Sequence, residues 1–95
     1  HLPFSPELVT PQMNTSVNAG SINLEWSVTD VDGDQLTSDI YFGTDNPPTN
    51  LIAENQSEVT YNINTVSGTT YYWRIVVKDN NGGSTIGQVW NFGTN

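Results

Sequence analysis

The sequence of 95 residues contains no cysteine and a single histidine, His1. Without cysteine there is no disulfide framework, no thiolate metal site and no cysteine nucleophile. The lone histidine stands at the very end of the sequence, which argues against a Ser-His-Asp triad, and one histidine cannot form a multi-histidine metal site. These absences exclude several of the commonest catalytic and metal-binding chemistries.

Positive charge is also scarce. Two basic residues, Arg74 and Lys78, stand against ten acidic ones, and the formal net charge is −8. Binding to nucleic acid or to an anionic membrane surface needs several cations to neutralise phosphates, so we expect neither partner. No apolar run approaches the roughly 20 residues that span a bilayer, so no membrane insertion is expected.

A chain of this length forms one domain with a single thin core. The proline-spaced residues 1–7 predict a linker, and residues 8–95 predict the domain itself. The sequence does not begin with Met and shows no signal peptide. We therefore expect a module of a longer protein, with the flanking domains of that chain as its first partners and no self-association.

The apolar residues follow the period of β-strands. No segment shows helical spacing over three turns, whereas residues 22–28 and 71–77 alternate apolar and polar side chains. Turn-forming residues separate such runs. The pattern predicts an all-β, immunoglobulin-like sandwich of two antiparallel sheets without a helix longer than one turn. The seven expected strands cover residues 6–10, 21–29, 36–43, 50–54, 58–63, 70–79 and 86–94.

Several short motifs occur in a characteristic order. They are Leu-Glu-Trp at 24–26, Asp-x-Asp-Gly-Asp at 30–34, Tyr-Phe-Gly-Thr at 41–44, Gly-Thr-x-Tyr at 68–71, Tyr-Tyr-Trp-Arg at 71–74, Lys-Asp-x-x-Gly-Gly at 78–83 and Val-Trp-x-Phe at 89–92. Together they resemble a fibronectin type III domain, in particular the modules of secreted multidomain bacterial proteins. The resemblance implies a fibronectin type III-like sandwich. It also implies that Tyr71 is the tyrosine corner, whose hydroxyl caps the chain a few residues upstream.

Side-chain parity predicts a core and an outer face. In this fold residues 36–43 pair with residues 70–79, and we expect Tyr41 opposite Tyr72. Ile40 then lies opposite Trp73 on the inner face and Phe42 opposite Tyr71. Three tryptophans anchor the predicted core: Trp26, Trp73 and Trp90.

The same register places four candidate ligand-binding residues on the outer face. Tyr41 and Tyr72 lie side by side, and Asp39 lies opposite Arg74 beyond them. Aromatic rings flanked by polar groups can stack on the apolar C–H faces of sugars, so this pair predicts a glycan site. The alternative is that the two rings only stabilise an exposed sheet.

A second candidate site is a calcium site. Asp30, Asp32 and Asp34 place three carboxylates within five residues, and calcium accepts six to eight oxygen ligands in irregular geometry. The loop that contains Asp79 meets this loop at one end of an immunoglobulin-like sandwich, so Asp79 is the fourth expected ligand. The alternative is that these side chains cap their own turns.

The acidic residues fall at loop and outward positions, and no nucleophile elbow, phosphate loop or His-Glu-x-x-His motif occurs. We therefore expect no enzymatic activity and no required cofactor, and calcium at that loop is the one candidate ion. Three functions stay open. They are a structural spacer in a secreted or cell-surface bacterial adhesin or polysaccharide-processing enzyme, a carbohydrate-binding module, and a calcium-stabilised adhesion module that binds another surface protein.

Overall fold

A computed structural model describes residues 4–29, 35–79 and 82–95. These residues form nine β-strands and no helix, which confirms the predicted all-β class. The strands are β1 (Glu7–Thr10), β2 (Ser16–Val17), β3 (Ser21–Ser27), β4 (Leu36–Gly43), β5 (Leu51–Gln56), β6 (Thr60–Asn64), β7 (Thr70–Asp79), β8 (Ser84–Ile86) and β9 (Trp90–Thr94).

The strands form two sheets that enclose one core. The smaller sheet has the order β1-β3-β6, and the larger has the order β2-β9-β7-β4-β5, with β8 paired to β7. All pairs are antiparallel except β2 and β9, which are parallel. The predicted two-sheet sandwich is confirmed. The strand β2 was not predicted, and the single strand expected at 86–94 is divided into β8 and β9.

A one-residue bulge divides the last strand. Ile86 pairs with Val76, and Trp90 pairs with Trp73. Trp90 therefore lies four residues after Ile86, whereas their partners in β7 are only three residues apart. In an unbroken strand Ile86 and Trp90 would point to the same face. The extra residue reverses that parity, so Trp90 enters the core while Ile86 stays 65% exposed.

Gly87 occupies the bulge because a side chain does not fit there. Its N–H donates to the carbonyl of Ile75 at 2.9 Å. A Cβ at this position would lie 2.7 Å from Cγ of Pro6 and 2.8 Å from the Ile75 oxygen. The close approach of the Pro6 ring and the Ile75 carbonyl to this backbone therefore requires glycine.

The register between β4 and β7 differs from the expected one by two residues. Tyr41 lies opposite Arg74, and Gly43 rather than Tyr41 lies opposite Tyr72. Phe42 lies opposite Trp73. The predicted pairing is therefore wrong, but a shift of two residues conserves side-chain parity, and the predicted inner and outer faces are correct.

The predicted tryptophan core is confirmed. Trp26, Trp73 and Trp90 are each 1% exposed or less. Trp73 packs edge-on against both others, with ring centroids 6.0 Å from Trp26 and 4.8 Å from Trp90. Such T-shaped contacts favour the aromatic quadrupoles and join the two sheets, because Trp26 belongs to β3 and the other two to the larger sheet.

A second aromatic cluster extends the core. The ring of Tyr71 stacks between Phe42 at 5.1 Å and Phe92 at 5.7 Å, measured between centroids. Its hydroxyl oxygen accepts a hydrogen bond from the N–H of Val66 at 2.9 Å. This is the upstream cap expected of a tyrosine corner, and it ties the loop after β6 to the start of β7.

Part of the segment expected to be a linker packs on the sandwich. Strand β1 begins at Glu7, Pro6 is buried, and the N–H of Phe4 donates to the carbonyl of Thr29 at 3.1 Å. The contact between Pro6 and Gly87 therefore attaches residues 4–6 to the larger sheet as well.

Candidate ligand-binding site on the outer face

The outer face of the larger sheet is set by the alternation along β7. Odd-numbered residues 71–77 of this strand are buried in the core, and the even-numbered ones are half-buried on the outside. Antiparallel partners share a face. The outer face therefore carries the β7 residues Tyr72, Arg74, Val76 and Lys78 beside their β4 partners Gly43, Tyr41, Asp39 and Thr37.

A hollow of about 290 Å³ opens on this face, between the middle of β7 and the turn before β5. It brings together two of the four predicted ligand-binding residues, Tyr41 and Arg74. We name it the Tyr41 hollow. Its lining consists of Tyr41, Pro48, Thr49, Arg74, Val76 and Ile86.

The guanidinium group of Arg74 is held in place by the backbone of the bulge. Its Nε–H donates to the carbonyl oxygen of Gly87 at 3.2 Å. No carboxylate of the described residues forms an ion pair with it. Arg74 therefore brings an anchored positive charge to the rim of a largely apolar hollow.

Asp39 does not contribute to the hollow. It is only 8% exposed, and its carboxylate lies 3.1 Å from the ammonium nitrogen of Lys78. The same carboxylate oxygen accepts a hydrogen bond from the N–H of Asn55 at 2.9 Å. The predicted pairing of Asp39 with Arg74 is wrong, because the two-residue shift in register places Val76 opposite Asp39. These contacts give Asp39 a structural role in joining β4, β5 and β7.

The two tyrosines do not form the predicted side-by-side pair. Tyr72 lies opposite Gly43 on one side and Asn91 on the other, and does not line the Tyr41 hollow. Tyr41 and Tyr72 are instead diagonal neighbours on the outer face, a relation that separates positions by roughly 7–8 Å. A ligand long enough to cover two sugar rings could still contact both.

Sequence reasoning missed a second hollow on the same face, also of about 290 Å³, at the start of β7. Asn14 adopts a positive φ of 59°, and its N–H donates to Asn91 at both the backbone oxygen and the side-chain oxygen. No motif signals this hollow, because it forms only when residues far apart in the chain meet. Its lining is mainly polar: Asn14, Thr15, Ser16, Thr70, Asn91, Phe92 and Gly93.

Neither hollow contains a histidine, a cysteine or a carboxylate. General acid–base and nucleophilic catalysis depend on such groups, held in a cleft and within reach of each other. The two hollows can offer stacking, hydrogen bonds and one positive charge. This chemistry suits binding.

Three of the four predicted calcium ligands, Asp30, Asp32 and Asp34, lie outside the described residues. The fourth predicted ligand is Asp79, and one of its carboxylate oxygens accepts a hydrogen bond from the N–H of Gly83 at 2.8 Å. The backbone N–H of Asp79 in turn donates to the Gly83 carbonyl at 3.0 Å, which closes the turn after β7. Within the described ranges no three acidic or histidine side chains are grouped as a metal site. The calcium site stays a prediction.

A scan of the sequence against protein-family models finds no match, and no curated protein matches it. Among solved structures, the domain is similar to the solution structure of the fibronectin type-III domain of human fibronectin type III domain containing protein 3. The TM-score is 0.60 at 17% sequence identity, over 98% of this chain and 84% of that chain. The domain has a fibronectin type III-like fold.

The part of the chain that the structure describes contains no helix with the length and apolar character needed to cross a membrane.

Proposed function

We propose that this domain is a non-catalytic structural module that serves as a rigid spacer in a larger, secreted or cell-surface bacterial protein. The observation that carries the proposal is the direction of the chain. The strand pairings and hydrogen bonds place the start of the first strand and the end of the last strand at opposite ends of the sandwich, whose extents are 41 × 21 × 18 Å.

Three contacts define the first end. The indole N–H of Trp26 donates to the hydroxyl of Ser38 at 3.1 Å, which places the last part of β3 level with the first part of β4. Ser38 pairs with Val77 near the end of β7. At this same end β1 begins, because Glu7 pairs with Ser27.

Two hydrogen bonds define the opposite end. Val66, just after β6, donates to the hydroxyl of Tyr71 near the start of β7. The hydroxyl of Thr94, in the last strand, accepts the N–H of Thr69 at 3.0 Å, directly before β7. Domains joined at such opposite ends would follow one another along the long axis of the sandwich.

The aromatic core makes the spacer stiff. The tryptophan cluster links both sheets, and close-packed interiors resist compression and transmit strain. The fold supports a structural module, while the resemblance of the motifs and the composition rich in Asn, Ser and Thr support a bacterial protein outside the cytoplasm. An adhesin or a polysaccharide-processing enzyme is the parent that we propose.

Domain replacement in the parent protein tests this function. One variant deletes residues 4–95, and a second replaces them with an unrelated fibronectin type III domain of the same length. If the domain is a spacer, we expect the deletion variant to lose activity of the parent protein and the replacement variant to keep it. If the replacement is as damaging as the deletion, the surface of this domain has a specific role and the spacer proposal is wrong.

We also propose carbohydrate binding as a second candidate function, because Tyr41 and the anchored Arg74 share one hollow. A sugar ring stacked on Tyr41 would lie within reach of a charged hydrogen-bond donor. Replacing Tyr41 and Tyr72 together with alanine should abolish retention of the domain on a polysaccharide gel with little change in melting temperature. If the unaltered domain is not retained on a panel of such gels, the two tyrosines are structural.

A further inference from the structure

We propose that the Tyr41 hollow selects a sugar unit that carries one carboxylate, with Arg74 binding the carboxylate and Tyr41 the ring. This inference rests on the carbohydrate-binding function proposed above and specifies its ligand. The inference starts from the two basic side chains, because Lys78 forms an ion pair with a carboxylate and Arg74 forms a hydrogen bond to a backbone carbonyl.

Lys78 and Arg74 lie on the same face of the same strand but in different electrostatic situations. Lys78 is neutralised by the carboxylate of Asp39 at 3.1 Å. Arg74 has no such partner among the described carboxylates, although the chain carries ten acidic residues against two basic ones. Among the residues that the structure describes, the cation of this face without a carboxylate partner is therefore the one at the Tyr41 hollow.

Arg74 uses Nε for its hydrogen bond to Gly87, and no described residue accepts a hydrogen bond from its two terminal nitrogens. These can donate two parallel hydrogen bonds to one carboxylate group. The Gly87 carbonyl is itself held by the bulge, where the glycine N–H donates to Ile75 and the Cα packs on Pro6. A guanidinium anchored in this way loses less conformational entropy on binding than a free one.

The rest of the hollow favours a small ligand with an apolar face. Tyr41, Pro48, Val76 and Ile86 supply ring and aliphatic surface, and Ile86 reaches the hollow because of the bulge. Reduced contact with water strengthens a hydrogen-bonded ion pair. A volume of about 290 Å³ lies at the lower end of the range for ligand sites, so it suits about one or two sugar rings.

The net charge of −8 restricts the ligand further. A polymer with a carboxylate on every unit would be repelled by the acidic surface beyond the hollow. A single acidic unit in an otherwise neutral glycan would pair with Arg74 and avoid this repulsion.

The test compares two ligands that differ only in the carboxylate. One is an oligosaccharide of neutral sugars with a single terminal glucuronic acid, and the other is its carboxyl-reduced form, which ends in glucose and is neutral. Titrations followed by amide chemical shifts would give both affinities. We expect the acidic sugar to bind about tenfold more tightly or better, since its carboxylate accepts charge-assisted hydrogen bonds from Arg74 that the reduced sugar lacks. The largest shifts should belong to Tyr41 and its neighbours in the hollow.

The two basic residues provide a matched pair of variants. Arg74→Gln should remove the preference for the acidic sugar, whereas Lys78→Gln, which removes the same charge from the same strand, should retain it. Arg74→Lys keeps the charge without the planar pair of donors and should retain only part of the preference. Melting curves would show that each variant is folded, and the comparison of the two sugars on the unaltered domain does not depend on any variant.

Each of the other results has a distinct meaning. Equal affinity for the two sugars would overturn the role of the carboxylate and leave carbohydrate binding intact. Equal losses in Arg74→Gln and Lys78→Gln would show long-range charge attraction and overturn the site. No binding of either sugar, or binding of an acidic peptide alone, would overturn the inference, and the double tyrosine variant on polysaccharide gels would then decide the carbohydrate function separately.

Discussion

The hydroxyl of Tyr71 accepts the N–H of Val66 at 2.9 Å and fixes the loop between β6 and β7. We expect Tyr71→Phe to lower the free energy of unfolding by about 0.5–1.5 kcal/mol, because the part-buried N–H of Val66 loses its acceptor. Urea unfolding measures the change. Tyr61→Phe is the control, since Tyr61 is a tyrosine that is partly buried against the same core, and it should change stability by less than about 0.5 kcal/mol. Equal effects of the two variants would contradict the role of the Tyr71 hydroxyl.

Asp39 provides a second prediction at the level of single residues. Asp39→Asn removes the charge that pairs with Lys78 and weakens the hydrogen bond from the Asn55 N–H. We expect a loss of about 1–3 kcal/mol in unfolding free energy, because the carboxylate is nearly buried. Glu54→Gln, which changes an exposed carboxylate in the same sheet, should stay within about 0.5 kcal/mol of the unaltered domain. A stable Asp39→Asn variant with reduced sugar binding would assign Asp39 to the ligand site instead.

The bulge between β8 and β9 depends on the small size of Gly87. We expect Gly87→Ala to destabilise the domain by about 1–3 kcal/mol, because the new methyl group meets Pro6 and the Ile75 carbonyl. Gly43→Ala is the matched control, since a Cβ at Gly43 meets nothing within 4 Å. That variant should be neutral or more stable by about 0.4–1 kcal/mol, as the unfolded chain loses freedom. Thermal melting of both variants makes the comparison, and an unaltered midpoint for Gly87→Ala would show that the bulge can widen freely.

The loop between β3 and β4 carries the predicted calcium ligands Asp30, Asp32 and Asp34. Three clustered carboxylates repel one another without a cation, so a bound ion would stabilise the folded state through mass action. We expect the melting midpoint to rise by several degrees between EDTA and millimolar calcium. The rise should vanish in the double variant Asp32→Asn, Asp34→Ala. An identical midpoint in EDTA and calcium would leave these side chains as turn-forming residues.

The whole molecule has one core, so it should unfold as one unit. Trp26 reports on the smaller sheet, while Trp73 and Trp90 report on the larger, and all three belong to one cluster. We expect tryptophan fluorescence and far-ultraviolet circular dichroism to give the same urea midpoint in a single transition. Separate midpoints would show that the sheets unfold independently, which would also weaken the case for a rigid spacer.

The amino-acid sequence by itself determined the fold class, the inner and outer faces and the tryptophan core. Each of these follows from period-two alternation, which is a local property of a strand, and from turn residues between strands. The tyrosine corner was also predictable, because the resemblance of the motifs to a fibronectin type III domain implies that role for Tyr71. The predicted outward positions of Tyr41 and Arg74 are also correct, because they follow from the same alternation of side chains along a strand.

The tertiary structure alone decided the register, the bulge and the contents of the site. Registers two residues apart bury the same side chains, so alternation could not show that Tyr41 lies opposite Arg74 rather than Tyr72. The space at Gly87 is limited by Pro6 and by the Ile75 carbonyl, and both residues are distant from Gly87 in the chain. The bulge places Ile86 at the hollow, and the Gly87 carbonyl accepts the hydrogen bond from Arg74. The register places Asp39 where it forms its ion pair with Lys78. These features arise from long-range packing, which the local period of a strand does not encode.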